Sequence, residues 1–90
     1  MSKTLEELRK EIDILDSELV AIIAKRMNIV REIGKLKKEQ NLTPLDETRW
    51  QNVLEQIEVL SAKHNLSSDM IKKIYNEIHI ESLKIEETYE

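Results

Sequence analysis

The 90-residue chain has no cysteine, no phenylalanine, one glycine and one proline, and only 3% of its residues are aromatic. Without cysteine there is no disulfide, no thiolate zinc site and no cysteine nucleophile, and the expected compartment is the cytoplasm. With so little glycine and proline, and no alternation of polar and apolar residues, a β-sheet has neither its turns nor its pattern, so the expected class is all-α. The longest uninterrupted apolar run, Leu19 to Ala24, is far too short to span a membrane. The first residues are charged and lack the apolar stretch of a signal peptide. The net charge is −4, and no basic stripe with interleaved aromatics exists to follow a phosphate backbone, so nucleic acid is not an expected partner. His64 and His79 stand fifteen residues apart, which is no helical metal-ligand spacing, and no metal is expected.

What the chain does have is charge, at 36% of residues, laid over a strong helical period. From Leu5 onward, apolar residues recur at alternating spacings of three and four: Leu5, Leu8, Ile12, Leu15, Leu19, Ile22, Ile29, Ile33 and Leu36. This is the seam of one long amphipathic helix running to about Glu39, and Thr4 with Glu7 fits a capping box at its start. The stretch Gln40-Asn41-Leu42-Thr43-Pro44 is a linker, because Pro44 pushes Thr43 out of helical geometry. A second helix is predicted from the N-cap Asp46 to Ala62, with Trp50, Val53, Leu54, Ile57 and Leu60 on one face. Asn65 suits a left-handed cap and Ser67 the next N-cap, so a third helix starts at about Ser68, with Ile71, Ile74, Tyr75, Ile78, Ser82, Ile85 and Glu86 on its inner face.

Ninety residues make one domain, 1–90, near the lower limit of what a single core stabilises. A helix of about 36 residues is roughly 54 Å long, whereas a compact chain of this size is only about 30 Å across. Two shorter helices cannot cover the whole seam. A second copy of the chain is the simplest cover, which predicts an intertwined two-fold homodimer.

One residue breaks the seam. Arg26 occupies a position where the period demands an apolar side chain, and a guanidinium does not lose its charge. Burying it requires an anionic partner: a structural carboxylate such as Asp16 or Glu81, or an anionic ligand. Other polar residues border the apolar stripes in the same way: Arg9 and Lys37 on the first helix, Asp46 and Arg49 at the start of the second, and Ser82 and Glu86 one turn apart on the third. Each has a plainer reading as a solvated charge, a helix-end support or a small packing residue. Together they would suit a small ligand with more than one carboxylate, which arginine forks and lysine point charges pair with by geometry. Arg9 and Lys37 are 28 residues apart on one helix, roughly 42 Å, so both can reach one ligand only if Arg9 comes from the other copy.

The run Leu-Arg-Lys-Glu-Ile-Asp-Ile-Leu-Asp over 8–16 resembles the opening motif of the all-α (type II) class of chorismate mutase, Leu-Arg-x-x-Ile-Asp-x-(Ile/Leu)-Asp. The similarity continues through Lys25 and Arg26, the segment Ile33-Gly34-Lys35-Leu36-Lys37, then Pro44, Asp46 and Arg49, and the segment Ile78-His79-Ile80-Glu81-Ser82. The resemblance implies three helices per subunit in an intertwined homodimer with two shared active sites, and the rearrangement of chorismate to prephenate in aromatic amino-acid biosynthesis. It assigns Arg9 of one subunit and Arg26 of the other to the substrate carboxylates, with Arg49 in support and Ser82 at the ring carboxylate. Lys37 and Glu86 fall at the ether oxygen, and Asp46 at the ring hydroxyl.

Two positions depart from the family pattern. Trp50 stands where many members carry a hydroxyl-binding Glu, and Glu86 replaces the common Gln. The implied reaction is a one-step pericyclic rearrangement, for which the resemblance implies no cofactor. A partner enzyme of the shikimate pathway is also compatible with it. The competing readings are a sibling lyase that removes pyruvate from isochorismate, and a non-catalytic helical dimerisation or regulatory module.

Overall fold

A computed structural model describes residues 2–89 as three helices: α1 (Leu5–Glu39), α2 (Glu47–Lys63) and α3 (Ser68–Glu87). The all-α expectation holds, and the element boundaries follow the local signals. Thr4 Oγ1 accepts the Glu7 N–H, Asp46 Oδ1 accepts the Arg49 N–H, and Ser67 Oγ accepts the Met70 N–H. Each N-cap thereby satisfies one of the donors a helix start leaves unpaired.

The C-terminal ends of α1 and α2 are built alike. Asn41 and Asn65 have φ of 57° and 55°. Leu42 and Leu66 donate back to the carbonyls of Lys37 and Ser61, each at 2.8 Å. Asn41 and Asn65 donate to Lys38 and Ala62. These are two Schellman ends, with asparagine in the left-handed position that glycine more often takes. Asn65 is the left-handed cap the sequence predicts; Asn41, read there only as linker, does the same job.

α3 packs against both α1 and α2. The described chain is elongated, 59 × 24 × 15 Å with a radius of gyration of 16.8 Å. Its length is that of α1, whose 35 residues span roughly 52 Å. Residues 2–22 are exposed throughout. Leu5, Leu8, Ile12, Leu15, Leu19 and Ile22 are 46–62% exposed, and Ile29, Ile33 and Leu36 are exposed as well, so the apolar seam has little cover within the chain. Among the described residues no helix is long and apolar enough to cross a membrane.

The buried positions are few: Val30 and Gly34 on α1, Ile57 and Ser61 on α2, Ser82 and Glu86 on α3. Besides the exposed seam of α1, one detail in each of α2 and α3 differs from the periodicity. Leu60 is exposed while its neighbour Ser61 is buried, and Ile74 is exposed on α3. Ser61 fits because its hydroxyl donates to the Ile57 carbonyl one turn back, at 2.6 Å, which leaves no polar atom unpaired. Glu86, which the sequence alone leaves as a candidate for solvent, is 92% buried.

Candidate active site

α1, α2 and α3 enclose a cavity of about 370 Å³, within the usual size range for a small-molecule site. Arg26, Lys37, Asp46, Arg49, Ser82 and Glu86, six of the seven residues singled out from the sequence, line it. They come from three separate segments. Arg26 and Lys37 lie three turns apart on the inner side of α1, Asp46 and Arg49 form the capped first turn of α2, and Ser82 and Glu86 lie one turn apart on α3. Arg9 is exposed, far along α1, and is not part of this wall.

The two alternatives for Arg26 are now separable. Among the described residues no carboxylate lies within ion-pair distance of it, Asp16 and Glu81 included. Its Nη1 donates to Ser82 Oγ at 3.3 Å, and its guanidinium carbon sits 5.7 Å from the centre of the Tyr75 ring. Both contacts orient the fork without neutralising it. Ser82 Oγ also lies 2.7 Å from the Ile78 carbonyl, where it donates its proton. Arg49 has its backbone tied to Asp46, but its guanidinium likewise has no ion-pair partner among the described residues.

Lys37 is held differently. Its ammonium donates to the Pro44 carbonyl, which folds the linker back against the last turn of α1, and it lies 2.7 Å from Glu86 Oε1. That approach makes an ion pair, yet it is off the direction of a hydrogen bond, and Glu86 Oε1 is buried without a hydrogen-bond donor.

A chemistry of anions follows from this set. Among the described residues no cluster of three or more His, Asp or Glu side chains is placed to hold a metal ion. Arg26, Arg49 and Lys37 instead present cationic donors to one concavity.

The model of the family described as chorismate mutase type II matches residues 8–87. The chain belongs to that family. Among similar proteins, the T-protein of Haemophilus influenzae is 32% identical over 80 residues, which is 89% of this chain and 21% of that protein. A chorismate mutase of Methanocaldococcus jannaschii is 27% identical over 75 residues, 83% of this chain and 76% of that protein. A bifunctional chorismate mutase/prephenate dehydratase of Buchnera aphidicola is 33% identical over 75 residues, 83% of this chain and 20% of that protein. The chain thus spans about a fifth of two of these relatives and three quarters of the third.

Within this chorismate mutase family chain, the cavity also holds a residue the sequence reading passed over. His79, considered there only as a metal ligand, lines the wall beside Glu86 and Ser82. Its spacing carried a signal: 79, 82 and 86 fall on one face of α3. Burial pushes its imidazole below the ordinary histidine range; Arg26 and Lys37 act in the same direction, while Glu86 and Glu47 oppose them.

Gly34 explains how α3 comes close enough to deliver Glu86. A Cβ at position 34 would stand 3.1 Å from the Glu86 Cα and 2.8 Å from the Tyr89 ring. The ring can turn aside, but the α3 backbone must shift. In Gly34→Ala, a helix-propensity gain of about 1 kcal/mol opposes an overpacking cost of roughly 1–3 kcal/mol. The expected result is a small change in Tm alongside a fall of about tenfold in kcat/KM, since small misplacements at a site cost rate steeply. Thermal unfolding and turnover, measured at one chain concentration, check this; unchanged turnover would show that Glu86 does not depend on the close approach.

Proposed function

We propose that this domain catalyses the intramolecular rearrangement of chorismate to prephenate, as a homodimer whose two sites each draw Arg9 from the other copy. The observation that carries the reading is the half-buried Arg26, oriented by Ser82 and Tyr75 and left without an anion among the described residues. Lys37 and Arg49 face the same cavity. A dicarboxylate supplies the missing charge. The homodimer is supported by the uncovered apolar seam of α1: a chain whose buried apolar side chains, among the described residues, are Val30 and Ile57 has too little core to stand alone.

In this mechanism the protein forms no bond to the substrate. Arg26, Arg49 and the second copy's Arg9 hold the carboxylates so that the enolpyruvyl arm folds over the ring in its reactive chair, which removes the entropy cost of reaching that geometry. As the ether bond breaks, negative charge develops on its oxygen. Lys37, held beside Glu86, faces that atom and stabilises the charge where it forms. Asp46 lies on the hydroxyl side, one of its oxygens already engaged in capping α2. The deciding experiment is a chorismate turnover assay from pH 5 to 8 with prephenate as the readout. Release of salicylate and pyruvate from isochorismate instead would assign the lyase chemistry, and turnover of neither would remove the enzymatic reading.

Glu86 is tested by its amide counterpart. A carboxylate only accepts hydrogen bonds, whereas an amide can also donate one. Glu86→Gln is therefore expected to raise kcat, while Glu86→Ala stays poor. Equal activities for wild type and Glu86→Gln would take Glu86 away from the ether oxygen.

A further inference from the structure

Trp50 and His79 form a parallel stack in the cavity wall, with ring centroids 3.8 Å apart and planes 6° apart. The mechanism above uses neither. Trp50 follows Arg49 in the first turn of α2, and His79 lies on α3 one turn before Ser82, so the stack joins the two helices at the cavity. The indole covers one face of the imidazole. What His79 offers a ligand is therefore its edge, where both nitrogens lie, in an orientation fixed by the stack.

The cavity is rich in donors, and its acceptors are few: the second oxygen of Asp46 and the carboxylate of Glu86 remain open to a ligand. Arg26, Arg49 and Lys37 carry donors and no acceptor. One oxygen of Asp46 is occupied by the Arg49 N–H, Ser82 Oγ already accepts from Arg26, and Glu86 faces Lys37. A neutral imidazole brings one acceptor nitrogen into this set. Such an atom suits an uncharged hydroxyl that must donate its proton, a group that cationic side chains cannot accept from.

We propose that the Trp50–His79 stack is a specificity-determining wall of the site, in which Trp50 holds His79 so that a ring nitrogen accepts a hydrogen bond from the substrate's hydroxyl. This rests on the chorismate reading, where the substrate has two carboxylates, an ether oxygen and one ring hydroxyl. The lowered protonation range of His79 keeps the acceptor free at neutral pH, against Glu86 and Glu47 and with Arg26 and Lys37. The other charged groups of the wall are Asp46 and Arg49.

The test compares chorismate with an analogue bearing hydrogen in place of the ring hydroxyl. Wild-type turnover of chorismate comes first, and its absence overturns the reading of the cavity itself. Given turnover, His79→Phe keeps a flat ring for Trp50 but removes both nitrogens. It is expected to lower kcat/KM for chorismate about tenfold or more and for the deoxy analogue less than twofold. Trp50→Leu should erode the same discrimination by releasing the ring. Equal losses on both substrates overturn the stack assignment alone.

A second measurement needs no variant. Trp50 is the only tryptophan, so its emission against pH reports the protonation of the stacked imidazole. The midpoint should lie lower with a hydroxyl-bearing bicyclic transition-state analogue than with its deoxy counterpart, because accepting the hydroxyl proton favours the neutral ring. An equal or higher midpoint overturns the proposal.

Discussion

Arg9→Ala and Arg26→Ala, each nearly inactive alone, are expected to recover activity when mixed, unfolded and refolded together. The reason is distance. Arg26 faces the cavity, whereas Arg9 lies on the exposed N-terminal half of α1, roughly 42 Å along the helix from Lys37. In a dimer with shared sites, a mixed pair carries both lesions in one site and neither in the other. Random pairing should restore about a quarter of wild-type activity, since half of the dimers are mixed and each holds one intact site of two. The uncovered seam of Leu5, Leu8, Ile12, Leu15, Leu19 and Ile22 is the surface that would drive the pairing. It also makes stability depend on chain concentration. Activity that stays absent in a preparation shown to contain mixed dimers would remove Arg9 from the site.

Lys37→Ala should lower kcat by about a hundred- to a thousandfold, with a much smaller effect on KM. The ammonium is positioned by the Pro44 carbonyl and by Glu86, 2.7 Å away, before any ligand arrives. A charge held in place in advance costs little reorganisation when the ether oxygen becomes negative, so its effect is concentrated in the transition state. Arg49→Ala offers the contrast. It is expected to raise KM, because a carboxylate clamp acts on bound substrate and transition state alike. Steady-state kinetics with chorismate check both, and a Lys37→Ala protein with near-normal kcat would mean that Lys37 does not serve the ether oxygen.

The sequence by itself determined what depends on neighbours within a turn or two. Thr4, Asp46 and Ser67 cap the helices they precede because each bond closes over three residues. The period of α1 marks an apolar stripe without reference to anything else in the chain, and so shows Arg26 as an exception; that stripe itself stays exposed, and the covered side of α1 runs through Val30 and Gly34. Spacing along that one helix also sufficed to keep Arg9 and Lys37 out of a single subunit's cavity.

The tertiary structure decided what depends on how α3 docks. Glu86 is buried, near the end of a helix where exposure is usual, because Gly34 removes the Cβ that would hold the two backbones apart. Trp50 meets His79 across 29 positions of sequence, and that meeting exists only once α2 and α3 are side by side. The absence of a carboxylate beside Arg26 is likewise a fact about three-dimensional neighbours. Helical period and capping are written in contiguous residues, whereas contacts between helices depend on crossing geometry and side-chain packing, which no single segment encodes.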